Sequence, residues 1–185
     1  MKRETSDEGC VKRSLRPAIA MLALALSTVA QPARAQEETI GIPVGSSVTS
    51  PIPVQDLEGK TVNLADFIGK KPVLVEFWAT WCPLCAALMP KIEAAKAKVG
   101  DSVDVLIVAV GVGESQASVK RHAASHAMPG RVFFDFNGAA TRAFDAPSTS
   151  YIVMLDAKGT VRYTGLGDKQ NIEVAIQKAA GRLGG

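Results

Sequence analysis

The stretch VEFWATWCPLCAALMP, Val75–Pro90, carries Cys82 and Cys85 three positions apart. The residues that lead into it form an almost unbroken apolar run with β-branched and aromatic members, which predicts a buried central strand. Apolar and alanine positions then recur at helical spacing over Pro83–Val99, and a proline suits the first helical turn. The two cysteines therefore stand where a buried strand passes into a helix.

This position bears on which chemistry the cysteine pair performs. A disulfide between residues three apart closes a loop too small to restrain the unfolded chain much. A structural zinc site needs a second pair of ligands, and the chain offers only His122 and His126, far away in sequence. A thiol at a helix N-terminus has a lowered pKa, because exposed N–H groups and the helix dipole stabilise its thiolate. With a second thiol in reach, this favours disulfide exchange.

The first 35 residues differ in kind from the rest. Basic residues precede a short apolar run, AIAMLALALSTVA (Ala18–Ala30), and the segment ends in Ala-Arg-Ala at 33–35. These features predict a secretory signal peptide over residues 1–35. The run is short for a membrane-spanning helix, which needs about 20 residues, although an uncleaved anchor stays open as the alternative. We therefore expect an exported, periplasmic protein, soluble or tethered, with Cys82 and Cys85 in an oxidising compartment.

Composition limits the classes of protein that remain. The chain has 185 residues, 47% of them hydrophobic and 21% charged, which is typical of one globular domain with appendages. Of the 21 Lys/Arg and 18 Asp/Glu, 15 of each lie after residue 35, so the mature charge is near zero. We therefore expect no nucleic-acid partner.

The mature chain divides into two parts. Residues 36–52 are rich in Pro, Ser and Gly and predict a linker or edge segment. Residues 53–185 begin with a hairpin around Glu58-Gly59, alternate strands with helices, and return in a second hairpin at Asp156–Gly159 before a last helix. This order predicts an α/β domain around a mixed sheet.

PVLVEFWATWCPLC, followed by Pro90, resembles the thioredoxin superfamily, and specifically its exported TlpA/ResA-like members. The resemblance extends over about residues 40–183, through DLEGKTVNLADFIGKK, IVAVGVGESQASVKRHAA and AFDAPSTSYIVMLDAKGTVRYTGLG. It implies a thioredoxin-like fold, in which helices flank a mixed central sheet. It also implies the N-terminal β-hairpin and the central insertion of the TlpA/ResA type.

The resemblance also implies roles at the cysteines. Cys82 would be the nucleophile that attacks a partner disulfide, and Cys85, one helical turn on, would resolve the mixed disulfide. Trp81 and Pro83 would lie against the substrate. Neither Pro83 nor Leu84 is a histidine, the residue found between the cysteines of strongly oxidising relatives, so the resemblance favours a reductant.

An acid precedes the motif. Glu76 lies on the predicted strand where ordinary thioredoxins carry an Asp, whereas TlpA-like proteins often place a Glu three residues after the second cysteine, here Leu88. Glu76 is therefore the candidate proton acceptor for Cys85, with a pKa that burial would raise. The alternative is that Glu76 faces solvent or pairs with Lys70 or Lys71.

One position departs from the family pattern. The family has a cis-proline at the start of the penultimate strand, which here is Ser150, preceded by Thr149. We expect this peptide bond to be trans, since a cis bond before a non-proline residue costs about 3–4 kcal/mol. In the family this loop pairs with the substrate backbone, so Thr149 and Ser150 are candidate substrate-binding residues. Without the proline, the thiol pair could instead bind a soft metal ion.

We therefore expect an exported thiol–disulfide oxidoreductase that reduces protein disulfides through Cys82 and Cys85, in cytochrome c maturation or the upkeep of exported thiols. Its partners would be disulfide-containing proteins and a membrane thiol-electron donor. We expect a monomer with no cofactor and no resident metal. The alternative is a thioredoxin-fold binding module, or copper chaperone, that uses the same cysteines.

Overall fold

The apolar run before the cysteines forms an interior strand of a seven-stranded mixed sheet. The structure is a computed structural model that describes residues 40–48 and 51–182. The predicted signal peptide, residues 1–35, lies outside the described residues, and so does part of the predicted linker.

The described strands follow the sequence prediction closely. Their spatial order is β2-β1-β5-β4-β3-β6-β7; β4 runs parallel to both β3 and β5, and the other neighbouring pairs are antiparallel. The strands are β1 Pro53–Gln55, β2 Thr61–Asn63, β3 Val73–Trp78, β4 Asp104–Val110, β5 Arg131–Asp135, β6 Tyr151–Leu155 and β7 Val161–Leu166.

Four α-helices cover the sheet within the described residues, as the sequence predicts. They are α1 Pro83–Val99, α2 Gln116–Ser125, α3 Ala139–Ala143 and α4 Ile172–Ala179. A short 3-10 helix, Leu64–Phe67, follows the first hairpin, and another, Gly100–Ser102, follows α1. The fold class predicted from the sequence is thus confirmed: a thioredoxin-like mixed sheet flanked by helices.

Strand β3 separates the two layers of helices. All six of its side chains are buried, which explains why its sequence shows no polar–apolar alternation. Phe77 points to one face, where its ring lies 5.6 Å from that of Phe144 after α3. Trp78 points to the other face, where its ring lies 5.0 Å from that of His122 in α2. Because parallel crossovers are right-handed, α1 and α2 cover this same face.

Helix α1 begins at the cysteines for local reasons. Cys82 is its N-cap residue, and the Cys82 sulfur accepts a hydrogen bond from the backbone N–H of Cys85 at 3.2 Å. Pro83 takes the first helical position, where its missing N–H leaves no hydrogen bond unmade. The helix buries one stripe against the sheet, formed by Cys85, Leu88, Ile92 and Ala95.

The described part of the predicted linker contacts the domain. Ser47 forms an isolated β-bridge with Thr160, and the N–H of Gly45 donates to the carbonyl of Val161 at 2.8 Å. Tyr151 accepts from the N–H of Ile42 and donates to the carbonyl of Ile40, both at 3.1 Å.

Among the described helices, none has the length and apolar character that crossing a membrane requires.

Candidate active site

Cys82 and Cys85 form a disulfide at the start of α1, with their Cα atoms 5.3 Å apart. Cys82 is 5% exposed and Cys85 is fully buried. An incoming thiol therefore reaches Cys82 first, and the Cys85 sulfur is the one released into the protein. This asymmetry matches the roles that the resemblance implies for the two cysteines.

The side chain of Glu76 places a carboxyl group inside the protein. It lies in the middle of β3 between Ile107 and Ile152 of the neighbouring strands, and its side chain is fully buried. Neither carboxyl oxygen has a hydrogen-bond partner among the described residues. Burial raises the pKa of Glu76 to about 8, because an apolar environment disfavours the carboxylate.

The direction of Glu76 follows from its register. Side chains alternate along a strand, so Glu76 shares a face with Trp78, two residues on, and that face lies under α1. Since Glu76 is fully buried, it neither faces solvent nor pairs with a surface lysine, so the alternative interpretation is wrong. Lys71 instead pairs with Asp104 at 2.9 Å.

A cleft of about 610 Å³ lies next to Trp81, the residue before Cys82. Trp81 lines it from the active-site turn, and Thr149 lines it from the loop before β6. Trp81 is 53% exposed, and its Nε1–H donates to the carbonyl of Val112 at 3.1 Å. The lining combines apolar residues with the polar Asn137 and Arg142; the apolar ones include Val110, Val112, Phe136, Ala146 and Pro147. Pro83 is exposed on the other side of Cys82.

Ser150 occupies the position of the family's cis-proline but lies beneath the surface. Its N–H donates to the carbonyl of Phe77 at 2.7 Å, and its own carbonyl accepts from the N–H of Gly167 and from Nε2 of Gln170. Its φ of +63° is in the left-handed region, and its buried hydroxyl has no partner among the described residues. A proline satisfies neither this φ nor this donor role.

A second groove, of about 480 Å³, is lined by Cys82 itself and by Trp78, His122 and His126. The two imidazoles stack with their centroids 4.0 Å apart. Burial lowers the pKa of His122; His126 lowers it further, and Glu114 partly offsets both effects. His126 is exposed, whereas His122 is half-buried against Trp78.

The sequence prediction missed Glu114. One oxygen of its carboxylate accepts from the N–H of Thr80 at 2.7 Å and from the Thr80 hydroxyl at 2.5 Å. The other accepts from the Ser118 hydroxyl at 2.8 Å. Thr80 lies in the active-site turn, 34 residues before Glu114, and no local spacing links the two. The available signal was the position of Glu114 directly before Ser115, the N-cap of α2.

Among the described residues, no three His, Cys, Asp or Glu side chains are grouped so that they could hold a metal ion. His122 lies on α2, and His126 is the residue that ends it. Their rings face each other, and Nδ1 of His126 lies 3.0 Å from the hydroxyl of Ser125.

The chain is similar in sequence and in fold to known proteins. The Redoxin family model matches residues 42–180. The chain is 30% identical over 127 residues to the thiol-disulfide oxidoreductase ResA of Bacillus thuringiensis subsp. konkukian, covering 68% of this chain and 72% of that one. It is 30% identical over 105 residues to the thiol-disulfide oxidoreductase YkuV of Bacillus subtilis, covering 55% and 71%.

Among solved structures, the fold is similar to that of the exposed lipoprotein thioredoxin of Streptococcus pneumoniae strain TIGR4. The TM-score is 0.59 at 25% sequence identity, and the match covers 71% of this chain and 99% of that one. The shared part therefore includes nearly the whole of the pneumococcal domain.

Proposed function

The chain belongs to the Redoxin family, as a ResA-like oxidoreductase of the thioredoxin superfamily, and from this premise we propose that it reduces protein disulfides outside the cytoplasm. The observation that carries the proposal is the cysteine pair at the N-terminus of α1, above a buried and unpartnered Glu76. An accessible thiol, a buried second thiol and a proton acceptor are together what dithiol exchange requires.

The reaction starts from the reduced protein. The Cys82 thiolate attacks one sulfur of the substrate disulfide, the substrate S–S bond breaks, and the other substrate sulfur leaves as a thiolate that takes up a proton. The Cys85 thiolate then attacks the Cys82 sulfur of the mixed disulfide. The second substrate thiolate leaves, and the protein keeps the Cys82–Cys85 disulfide. Two electrons pass from the dithiol to the substrate.

Glu76 has the properties of the base for the second step. Cys85 is fully buried, so its proton has no direct path to water. A carboxyl with a pKa of about 8 exchanges protons with a thiol near neutral pH, where an exposed glutamate is a far weaker base. Glu76 would accept the Cys85 proton as Cys85 becomes a thiolate and would return it when the protein is reduced again.

The substrate would bind along the cleft between Trp81 and Thr149. Both residues line that cleft, and the exposed face of Trp81 offers a large apolar contact next to Cys82. Ser150 would contribute indirectly. It lies beneath the surface, and its internal hydrogen bonds hold Thr149 at the rim of the cleft. Pro83, exposed beside Cys82, would contact the substrate from the helix side.

Export and partners extend the proposal. A signal peptide over residues 1–35 would carry the chain out of the cytoplasm, and one structural relative is itself described as an exposed lipoprotein. In an oxidising compartment a reductase needs a continuous supply of electrons, so a membrane thiol-electron donor would reduce the Cys82–Cys85 disulfide after each cycle. Its substrates would be exported proteins whose cysteines must be kept reduced, apocytochromes c among them.

Substitution of each cysteine tests the proposal. Cys82→Ser should abolish dithiothreitol-driven reduction of insulin. Cys85→Ser should instead accumulate a mixed disulfide through Cys82, visible as a mass adduct that excess thiol removes. Circular dichroism of both variants checks that the fold is intact. Reduction of insulin by Cys82→Ser at the wild-type rate would contradict the mechanism.

A further inference from the structure

The active-site turn is held by a segment far from it in sequence. The N–H of Cys82 bonds to the carbonyl of Ala79 at 3.1 Å, which closes the turn. Within that turn, Thr80 gives both its N–H and its hydroxyl to a single carboxylate oxygen of Glu114. The second oxygen is bound by Ser118, one turn into α2. Glu114 thus ties the active-site turn to α2.

Neighbouring residues of the same segment brace the turn independently. Trp81 donates its indole N–H to the carbonyl of Val112. Gly113 lies directly under the indole, since a Cβ placed there would be 3.3 Å from the Trp81 nitrogen. His122, two turns along α2 from Ser115, packs on Trp78. The segment therefore contacts the chain before Cys82 at three places, and Glu114 supplies the one charged contact.

We propose that Glu114 is a positioning residue of the redox centre, which fixes the turn that presents Trp81 and Cys82 and whose carboxylate opposes the Cys82 thiolate. The inference rests on the proposed function but concerns a residue outside the cysteine motif. Glu114 bonds Thr80 directly, and Thr80 lies two residues before Cys82, so the Cα atoms of Thr80 and Cys82 are at most about 7.6 Å apart. A half-buried charge is screened less by salt than an exposed one.

The charge has a definite direction of effect. A nearby carboxylate destabilises a thiolate, and a less stable thiolate makes the dithiol a stronger reductant. The groups that face this carboxylate are Thr80, Ser118 and, through its charge, His122. Burial and His126 lower the pKa of His122, which disfavours a positive charge on the imidazole that would offset the Glu114 carboxylate.

Two substitutions separate geometry from charge. In Glu114→Gln the amide oxygen still accepts from Thr80, and the amide nitrogen can donate to the Ser118 hydroxyl oxygen, whose own proton can then turn to the Ser115 carbonyl oxygen, 2.8 Å away. Glu114→Gln therefore keeps the brace and loses the charge, whereas Glu114→Ala loses both. Glu173→Gln, on α4 and paired with Lys98, is the matched control for removal of one negative charge.

The readouts are the alkylation rate of reduced Cys82 by iodoacetamide at pH 6, the redox equilibrium with glutathione, and kcat/KM for insulin reduction. We expect Glu114→Gln to speed alkylation about threefold. The redox equilibrium constant should change about threefold, which raises the reduction potential by about 14 mV. Its kcat/KM should stay within about twofold of wild type. We expect Glu114→Ala to lower kcat/KM about tenfold. Glu173→Gln should match wild type in all three.

Thr80 provides the partner test. Thr80→Ser keeps the hydroxyl and should match wild type, while Thr80→Val loses it and should lower kcat/KM in the direction of Glu114→Ala. Unchanged alkylation, redox equilibrium and kcat/KM in both Glu114 variants, with only a lower melting temperature, would overturn the inference. Absence of insulin reduction and of a reversible redox transition in the wild-type protein would instead overturn the proposed function.

Discussion

The backbone N–H of Ser150 donates to the carbonyl of Phe77 at 2.7 Å, at the position where the family resemblance expects a proline with no N–H to give. The hydrogen bond extends the pairing of β6 with β3 by one residue, up to the end of the strand that leads to the cysteines. The loop before β6 is thus held by a hydrogen bond and by a positive φ at Ser150.

Restoring the family residue should therefore harm this protein. Ser150→Pro removes the hydrogen bond to Phe77 and cannot adopt a φ of +63°, so we expect it to lower the free energy of unfolding by about 3 kcal/mol. Urea denaturation measures the change. Ser150→Ala is the matched control and should be neutral or stabilising by about 1 kcal/mol, because the hydroxyl it removes is buried without a partner. A more stable Ser150→Pro would contradict this account of the loop.

Glu76 should make stability depend on pH. The pKa of Glu76 is about 8 in the folded protein and 4.5 in the unfolded chain. The free energy of unfolding is therefore highest below pH 4.5, where Glu76 is neutral in both states, and it falls as the pH rises towards 8. Glu76→Gln removes this loss, and we expect it to be more stable than wild type by about 3 kcal/mol at pH 7 and equal to it at pH 4. Urea denaturation at several pH values tests this. Glu93→Gln, exposed on α1, should leave the pH profile unchanged.

Glu76→Gln should leave the protein folded but should slow disulfide exchange. A glutamine cannot accept the Cys85 proton, so the mixed disulfide on Cys82 should resolve about 10²-fold more slowly in Glu76→Gln. Quenched-flow thiol trapping with a disulfide peptide measures the lifetime of the mixed disulfide. The defect should shrink above pH 8, where hydroxide replaces the base. Resolution at the wild-type rate at pH 7 would remove Glu76 from the mechanism.

Tyr151 should anchor the chain that precedes the domain. Its hydroxyl is bound between Ile40 and Ile42, and burial raises the pKa of Tyr151 to about 12. Tyr151→Phe should cost about 1–2 kcal/mol of stability and should speed proteolytic cleavage around residues 36–48. Tyr163→Phe, which loses only a 3.3 Å bond to Gln170, is the control and should cost less. Equal cleavage rates in both variants would contradict the anchoring role.

The strands and helices could be predicted from the sequence because each has a local cause. The unbroken apolar run of β3 follows from its burial on both faces, and the start of α1 follows from Pro83 at the first helical position. Counting back from Asp156 puts Ser150 next to the penultimate strand because the turn has a fixed length, and Ser150 lies directly before that strand, Tyr151–Leu155.

The parts of the site that were missed are contacts between distant segments. Glu114 lies in the loop before α2, and only the crossover from β4 to β5 brings it against Thr80. In the same way, α2 turns His122 towards Trp78, a contact that the i, i+4 spacing of the histidines does not reveal. The left-handed backbone conformation of Ser150 was also not predicted, because its positive φ depends on the loop as a whole.

The central claim is that Cys82 and Cys85 form a reversible dithiol couple of a reductant. The most direct test is to equilibrate the purified protein in dithiothreitol and glutathione buffers of defined potential and to count free thiols by trapping. We expect one reversible two-electron transition below about −230 mV, towards the range of thioredoxin. A transition near about −120 mV would identify an oxidant, and the absence of any reversible transition would show that the cysteines do not form a redox couple. Either of these results would contradict the claim.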